Sequence, residues 1–383
     1  MYQVNSLLYT AMLQEALTNG TYKPELGSKF ILSERGKTRY VTNNSMRDKV
    51  VNHIICDEIL TPALQKFLIY DNSASQKGKG VSFHRKRFEK HLRDYYKQHG
   101  TNEGFILLGD FSGYYANIRH DKISEVLAHF LKRSDIPVKD LRLAWKILKD
   151  IFQTFRVDVS RFSDEDIKAM YEQKIDAMMN FNADKKLLTG EKFLNKGVDI
   201  GNQISQNIGI IFPYYLDNYA KNVAGIKYYG RYTDDFYAIS QDKNILKSLL
   251  QKFREIAHEY GIIINERKTR IVKLSDFYRH LQNGYSLTST GRLIIKINPK
   301  SITRERQRLK KYKKLFEAGI ITLDEIENIF KSWLCGNYKR MSHKQIYKIS
   351  ELYFNLFGRK IRWQQKNYSR LRYLTEHNLK TCN

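Results

Sequence analysis

The sequence predicts an α+β protein, and three observations lead to this class. Short apolar runs, such as "FILL" at 105–108, have the length of buried strands, whereas longer segments carry apolar residues at helical spacing. The two kinds of segment alternate in the middle of the chain, and basic helical segments follow them to its end. The 383 residues include only 5 Pro, with no Gly/Ser linker and no repeat, so we expect two or three domains or one multi-lobed unit.

The first part of the chain predicts helices around one hairpin. The first 25 residues have a helical pattern, and "SKFILSERGKTRYV" predicts a β-hairpin that turns at "ERGKT". The segment "SMRDKVVNHIICDEILTPALQKFLI" predicts a helix that stops near Pro62. A polar loop with glycines then leads into a basic helix in "DNSASQKGKGVSFHRKRFEKHLRDYYKQHG".

The remaining elements alternate between strands and helices. The run "FILL" predicts a strand that ends at Asp110, and residues 122–195 are expected to be mainly helical. A loop with glycines opens an apolar helix in "KGVDIGNQISQNIGIIFPYYLDNYAK", and "KYYGRYTDDFYAISQ" predicts a hairpin. The segment "NILKSLLQKFREIAHEYGIIINERKT" predicts an amphipathic helix and a strand, and after "GRLIIKINPKS" the chain is expected to be helical and basic to its end.

The charge of the chain favours a polyanionic partner. The formal net charge is +26, and Arg292 to Lys380 alone holds 22 Lys/Arg against 7 Asp/Glu. Nucleic acid is the polyanion that this concentration favours, and an anionic membrane surface is the rival. The membrane is disfavoured because no apolar run reaches the length of about 18 residues that a spanning helix needs.

The N-terminus and the cysteines predict a soluble cytoplasmic protein. The first residues lack the basic flank and the cleavage site of a signal peptide. Cys56, Cys335 and Cys382 are isolated and without CxxC spacing, so neither a disulfide framework nor a zinc site is indicated.

Three carboxylates stand where strands are predicted to end. Asp110 follows an apolar strand, and Asp234 and Asp235 stand at the predicted tip of a hairpin. A strand–helix–hairpin arrangement can bring such strand ends together on one sheet. Clustered carboxylates without matching Lys or Arg suit Mg²⁺, and two such ions can clamp an in-line phosphoryl displacement. For "TDD" alone an ordinary turn is the commoner explanation, because Asp favours turns.

The residues around these carboxylates resemble the motif series of reverse transcriptases, in the right order, over roughly residues 30 to 340. "RYTDDF" resembles the YxDD box, and "GDFSGYYANIRHD" resembles the first catalytic box, with Tyr115 as its aromatic residue. "IGNQISQNIG" resembles the Gly-x-x-x-Ser box, "INERKT" the fourth box and "GKTRYV" the fingers hairpin. "SASQKGKGVSFHRKRFEKHLR" is similar to a loop and helix of bacterial enzymes.

The resemblance implies a right-hand polymerase that transfers nucleotides to a primer with two Mg²⁺ ions, for which Mn²⁺ is an alternative. It implies fingers at 1–104, a palm with an antiparallel sheet at 105–290, a helical insertion at about 122–195 and a helical thumb at 291–383. Asp110 and Asp234 would carry the ions, with Asp235 beside them and the carbonyl of Phe111 as a further ligand. Lys268 would stand near the leaving pyrophosphate as a proton donor; an ordinary solvated lysine is its alternative.

The resemblance also implies contacts to nucleotide and nucleic acid. Tyr115 would exclude a ribose 2′-hydroxyl, and a core tyrosine is the alternative. The other implied nucleotide-binding residues are Lys37 and Arg39 at the triphosphate, Gly201 and Ser205 in their box, and Gln206 at the templating pair or incoming base. An ordinary solvated charge is the alternative for Lys37 and Arg39, and a structural amide is the alternative for Gln206. The cations expected at the template and primer backbone are Lys77, Lys79, Arg85, Arg304, Arg308, Lys311 and Lys314.

The third box indicates a subgroup. Gln206 follows Ser205 where retroviral, retron and intron enzymes usually have Pro, and "GNxxSQ" resembles enzymes of diversity-generating retroelements and the bacterial "unknown group" and abortive-infection enzymes. Asp199 departs from the Pro of many relatives. The long stretch at about 135–195 is either a contact to a structured RNA or another subunit, or a variable surface excursion.

Several functions remain open at this point. We expect an enzyme of anti-phage defence that copies a partner non-coding RNA into DNA from dNTPs, with an accessory protein or a homo-oligomer as further partners. The first alternative is a diversity-generating retroelement enzyme. The alternative of another class is a catalytically silent, RNA-binding subunit similar to a maturase, which the intact carboxylates and Lys268 disfavour. Priming by a protein hydroxyl is also left open.

Overall fold

The computed structural model describes residues 5–34, 36–363 and 375. The chain divides into two compact units, Met1–Gln98 with Glu103–Lys273, and His99–Asn102 with Leu274–Asn383. Cys382 and the chain after residue 363, apart from 375, lie outside the described residues, so the helical prediction for that stretch has no counterpart here. The α+β class is confirmed, because helices and antiparallel sheets occur together.

The helices and strands of the first unit follow the predicted order closely. Its helices are α1 (Ser6–Thr18), α2 (Met46–Ile54), α3 (Thr61–Gln65), α4 (Val81–His99), α5 (His120–Leu131), α6 (Val138–Phe155), α7 (Asp164–Glu172), α8 (Gln203–Ile211), α9 (Tyr214–Asn218) and α10 (Lys243–Tyr260). Its strands are β1 (Ser28–Glu34), β2 (Lys37–Asn43), β3 (Phe105–Asp110), β4 (Val157–Asp158), β5 (Phe193–Leu194), β6 (Tyr228–Tyr232), β7 (Asp235–Ser240) and β8 (Arg270–Lys273). The two predicted hairpins, β1–β2 and β6–β7, are confirmed.

Helical structure continues past Pro62, where a stop was expected. A π-helical segment, Ile55–Leu60, links α2 to α3, and Pro62 lies in the first turn of α3. A proline is tolerated there because the first turn of a helix leaves its N–H groups without intrahelical partners. Pro62 thus does not stop the helix, which continues to Gln65.

A four-stranded antiparallel sheet of order β6-β7-β3-β8 carries the carboxylates. Strand β3 is buried on both faces, because α4 covers one face and α10 the other. Phe88 of α4 packs edge-on against Tyr237 at 4.7 Å between ring centroids. On the other face Phe253 of α10 packs against Phe236 at 5.4 Å. The sheet is thus a rigid support for the strand ends.

The segment between the first and third boxes is helical only in its first part. After α7 the chain runs to β5 with one 3₁₀ turn, Lys185–Leu187, as its sole helical piece. Lys196 anchors this region, because its buried ammonium donates to the carbonyls of Met170, Tyr171 and Gln173 at 2.8–3.1 Å. Irregular backbone held by a side chain in this way has no periodicity that a sequence pattern can reveal.

The second unit combines a small sheet with a helical core. Its strands are β9 (Tyr278–His280), β10 (Asn283–Leu287) and β11 (Leu293–Ile297), and its helices are α11 (Pro299–Glu317), α12 (Leu323–Asn337) and α13 (His343–Phe357). Leu309, Phe330 and Tyr353, one from each helix, lie in its buried core. No helix in the described part of the chain is long and apolar enough to cross a bilayer.

Candidate nucleotidyl-transfer site

Antiparallel pairing of β3 with β7 brings the three predicted carboxylates to one sheet edge. Asp110 is the direct partner of Asp235 in this register, and paired Cα atoms lie about 4.5–5.5 Å apart. Asp234 lies in the turn between β6 and β7, beside Thr233, whose φ of 54° is in the left-handed region. The amide of Phe111 donates to the carbonyl of Asp234 at 3.1 Å. The two strand ends are therefore tied together at the carboxylates.

Two of these carboxylates, Asp234 and Asp235, have a raised pKa. Burial is the largest cause that raises the pKa of Asp235 to about 7, and the charges of Asp234 and Asp110 add to it. Burial, followed by Asp110, also raises the pKa of Asp234. Lys268 and Lys37 oppose both shifts without cancelling them. Ionisation of both carboxyl groups at this buried sheet edge is therefore unfavourable unless a further cation lies beside them.

Two side chains after α10 bind the Asp110 carboxylate. Lys268 Nζ donates to Asp110 Oδ2 at 2.7 Å, and Asn265 Nδ2 donates to the same oxygen at 3.1 Å. Burial would lower the pKa of Lys268, but the hydrogen bond to Asp110 and the three carboxylate charges raise it. Lys268 is therefore a protonated donor at this carboxylate.

Residues 263–265 fix the backbone beyond β3. The carbonyl of Ile263 accepts from Ser112 at 2.7 Å, and the amide of Asn265 donates to the carbonyl of Asp110 at 2.8 Å. Phe111 forms an isolated bridge with Ile264, so the strand predicted in "GIIIN" is reduced to this contact, and β8 begins only at Arg270. Sequence reasoning missed Asn265, although it stands inside the "INERKT" box.

The chemistry of the donor set fits a divalent cation. Carboxylate oxygens are the ligands that Mg²⁺ prefers, and a cation would offset both the burial and the mutual repulsion that raise the pKa of Asp234 and Asp235. Among the described residues, however, no group of three or more His, Cys, Asp or Glu side chains has the arrangement of a metal site. In this structure the Asp110 carboxylate is directed to Lys268 and Asn265 instead.

A pocket of about 370 Å³ lies over the carboxylates and gathers most of the predicted nucleotide site. The predicted residues that line it are Lys37, Arg39, Asp110, Phe111, Tyr115, Asp234 and Lys268. Lys37 is exposed and Arg39 half-buried on β2. Asp235, Gly201, Ser205 and Gln206 do not line the pocket.

Tyr115 packs against α8 at the side of the pocket. A Cβ on Gly209 would lie 2.6 Å from the Tyr115 hydroxyl, so the ring needs a glycine at that position. Burial, and then the charge of Asp234, raises the pKa of Tyr115 to about 12, which keeps the phenol neutral. The neighbouring Tyr114 donates its hydroxyl to the carbonyl of Gly209 at 2.9 Å. A glycine within an apolar helix was the sequence signal for this close contact.

The Gly-x-x-x-Ser box positions the β1–β2 hairpin. Gly201 has φ 109°, and a Cβ there would lie 2.6 Å from the carbonyl of Thr42, so only glycine fits. The amide of Thr42 donates to the carbonyl of Ile200 at 2.8 Å. Gly201 thus lets β2, with Lys37 and Arg39, approach the loop before α8.

The other two residues of this box lie on α8. Ser205 is buried, and its hydroxyl has no hydrogen-bond partner in the part of the chain that the structure describes. Gln206 is exposed and lines a separate pocket of about 280 Å³ with Lys77 and further amide side chains.

Arg231, which sequence reasoning missed, holds the turn that carries Asp234. It is fully buried and pairs with the buried Asp217 at 2.7 Å. Its guanidinium also donates to the carbonyls of Thr233 at 2.8 Å and Ile210 at 2.6 Å. The only sequence signal was a charged residue inside an aromatic strand, directly before "YTDD".

The predicted nucleic-acid cations near α4 differ in their availability. Lys77 is exposed, and Arg85 is half-buried. Lys79 donates to the carbonyls of Tyr70 at 2.9 Å and Asn72 at 3.2 Å, so its ammonium holds the loop before α4. Burial lowers the pKa of Lys79.

The predicted cations of α11 lie on one face of that helix. At about 100° per residue, positions 304, 308, 311 and 314 fall within one stripe, opposite the buried Ile302 and Leu309. Lys311 and Lys314 are exposed and Arg304 is half-buried. Arg308 instead donates to the buried Glu305, so part of its charge is already neutralised.

Comparisons with solved structures give distant likenesses. A telomerase from Candida albicans, in complex with a TWJ fragment of telomeric RNA, is 13% identical with TM-score 0.47, over 98% of this chain and 67% of that one. An apo telomerase from Candida tropicalis truncated from its C-terminal domain is 14% identical with TM-score 0.43, over 75% and 60%. Another apo telomerase from Candida tropicalis is 13% identical with TM-score 0.46, over 92% and 66%. The chain thus spans about two thirds or less of the length of these proteins.

The comparison with protein families is decisive. No curated protein matches the chain. The family described as reverse transcriptase (RNA-dependent DNA polymerase) matches residues 23–282, which is well over half of the 383 residues. The chain therefore belongs to the reverse transcriptase family, whose members are nucleotidyltransferases that make DNA on an RNA template.

Proposed function

We propose that this chain is an active RNA-directed DNA polymerase and that the carboxylate edge of the palm sheet is its catalytic centre. The register that pairs Asp110 with Asp235, with Asp234 in the adjoining turn, is the observation that carries the proposal. The clustered, buried carboxyl groups at this edge and the cations around the pocket support it, since a polymerase must bind both metal ions and a polyphosphate.

The metal ions would be held by oxygen ligands. Asp110 and Asp234 would hold two Mg²⁺ ions, or Mn²⁺, with Asp235 beside them and the carbonyl of Phe111 as a further ligand. When bound, such ions lower the pKa of the attacking hydroxyl and stabilise charge on the phosphates. The fixed sheet edge contributes the position of the ligands, because β3 and β7 are held between α4 and α10.

The remaining residues bind and orient the substrates. Lys37 and Arg39 contact the triphosphate, and Arg suits bidentate phosphate contacts. Tyr115 occupies the space that a ribose 2′-hydroxyl would need. The primer 3′-hydroxyl gives its proton to solvent water and its oxygen forms a bond to the α-phosphorus. The bond from the α-phosphorus to the oxygen that bridges to the β-phosphate breaks, and Lys268 would supply a proton to the leaving pyrophosphate.

Primer extension tests the proposal directly. The wild-type chain is incubated with an RNA template, a DNA primer, dNTPs and Mg²⁺. Asp234→Asn should abolish extension, whereas Asp276→Asn, which removes an exposed carboxylate of the second unit, should leave it unchanged. Extension by Asp234→Asn at the wild-type rate would reject the catalytic assignment, and an inactive wild type would favour the silent, RNA-binding alternative.

The biological role that we propose is narrower. The "GNQISQ" box supports an enzyme of anti-phage defence that copies a structured non-coding RNA in the cytoplasm. The fingers (1–104), the palm (105–290) and the thumb (291–383) would hold template and product, with Gln206 at the templating pair and α11 on the backbone. Sequencing the RNA and DNA that co-purify with the chain tests this role: one defined RNA and its complementary DNA are expected, and copies of a protein-coding repeat would favour the diversity-generating alternative.

A further inference from the structure

The segment between α6 and α8 forms one wall of the nucleotide pocket. It contributes Val157, Lys174, Ile175, Ala177 and Lys196 to the lining. None of these residues belongs to the motif series that identifies the family. The segment was expected to bind another macromolecule or to be a surface excursion, and neither expectation placed it at the pocket.

Lys174 is held over the catalytic loop by a buried amide. Asn117 accepts from the amide of Ile175 at 2.9 Å and donates to the carbonyl of Gly113 at 2.8 Å, so it joins the segment to the loop that follows Asp110. The stem of Lys174 lies directly over Gly113, since a Cβ at that glycine would lie 3.0 Å from Lys174 Cε. The backbone next to Lys174 and the stem of its side chain are therefore held in place beside Gly113.

The charge of Lys174 is available, unlike that of three other cations that line the pocket. Lys268 is bound to Asp110, Lys29 pairs with Asp199 at 3.6 Å, and Lys196 is buried against three carbonyls. Lys174 is exposed and forms no ion pair with any residue that the structure describes. A polyphosphate beside the carboxylates would supply the anion that this ammonium lacks.

We infer that Lys174 binds the polyphosphate of the incoming nucleotide, together with Lys37 and Arg39 from the β1–β2 hairpin. The hairpin and the segment after α7 then reach the same phosphates from two elements that both line the pocket. This inference rests on the proposed function, because it takes the carboxylate pocket as the nucleotide site.

The test measures nucleotide affinity without turnover. A dNTP is titrated against the full chain bound to an RNA template and a primer with a dideoxy 3′ end, in Mg²⁺. Lys174→Ala should weaken dNTP binding about tenfold, which matches the loss of one charge-assisted hydrogen bond, and Lys174→Arg should recover most of it. Lys186→Ala removes the same charge from an exposed site of the same segment, outside the pocket, and should leave dNTP affinity unchanged.

The outcomes separate this inference from the proposed function. Equal dNTP affinity in Lys174→Ala and Lys186→Ala, with a wild type that extends primers, would overturn the inference alone. A wild type that binds no dNTP would overturn both. Inorganic triphosphate, used as a competitor of the dNTP, should lose affinity in Lys174→Ala by a similar factor, because the inferred contact is to phosphate; a loss for dNTP but none for triphosphate would also overturn it.

Discussion

Replacing Arg231 by Met should destabilise the first unit strongly. Met keeps an unbranched side chain but removes every donor of the guanidinium. The buried Asp217 then keeps its charge without a cation, the carbonyl of Thr233 loses its side-chain donor, and the carbonyl of Ile210 keeps only the side-chain amide of Asn72 at 3.3 Å. Because Arg231 and Asp217 are both almost inaccessible to solvent, screening by water cannot replace the lost partner.

The magnitude follows from the burial of the pair. Breaking a buried ion pair by removing one partner costs about 3–5 kcal/mol, because the remaining charge stays buried without its partner. We therefore expect the free energy of unfolding to fall by at least about 3 kcal/mol, out of the 5–15 kcal/mol that is usual for a folded domain. Where the variant still folds, kcat should fall more than KM changes, because the turn with Asp234 has lost its anchor.

Urea titration of the full chain, followed by circular dichroism, measures this loss. Arg254→Met is the matched control, since its bidentate pair with Glu266 is exposed and should contribute no more than about 1 kcal/mol. The double variant Arg231→Met/Asp217→Leu should lose less stability than Arg231→Met alone, because no charge remains buried. Equal, small losses in Arg231→Met and Arg254→Met would refute the reasoning.

Three further predictions concern acid stability, substrate choice and salt. Burial lowers the pKa of His84 to about 3, whereas the ordinary value for histidine is about 6.5. As the pH falls below about 6.5, the unfolded chain therefore gains a proton on His84 that the folded chain does not bind. Stability should drop by about 2 kcal/mol from pH 7 to 5, and His84→Gln should flatten that slope in urea titrations. Tyr115→Ala should increase incorporation of ribonucleotides in primer extension relative to deoxynucleotides; unchanged discrimination would contradict the role of this ring. A variant in which Arg304, Lys311 and Lys314 of α11 are changed to Gln should bind template–primer more weakly. Its slope of log affinity against log salt concentration should be smaller by about 3, and an unchanged slope would show that these side chains contact no phosphate.

Most of the regular elements could be predicted because their patterns are local. The hairpin with the carboxylates and the strand that ends at Asp110 follow from short apolar runs and turn residues. The strands β9 and β10 were missed, and the reason is specific. The turn between them lies at Leu281 and Gln282, both with positive φ, and neither residue type is one that marks a turn in a sequence.

The contacts that join distant parts of the site could not be predicted. Asn265 binds Asp110 across 155 positions of sequence, and Lys174 reaches the pocket from a segment without periodicity. Resemblance to a family predicts a contact only for residues to which the family's motifs give a role. The motifs gave no role to Arg231, Asn117 or Lys174. Their roles follow from the coordinates alone.

The site contains two kinds of buried charged group: an ion pair with all its partners, and a cluster of carboxyl groups of like charge. At Arg231 and Asp217 the charges are matched and fully bonded, so they fix one conformation of the turn. At the sheet edge Lys268 pairs with Asp110 only, and burial together with the charges of Asp234 and Asp110 raises the pKa of Asp235 to about 7, which makes its ionised form unfavourable. The matched pair holds the turn that carries Asp234, and the register of β3 with β7 places Asp110 opposite Asp235. A rigid, unfavourable cluster of this kind has a physical purpose only if a cation completes it, and this favours an active polymerase over a silent relative.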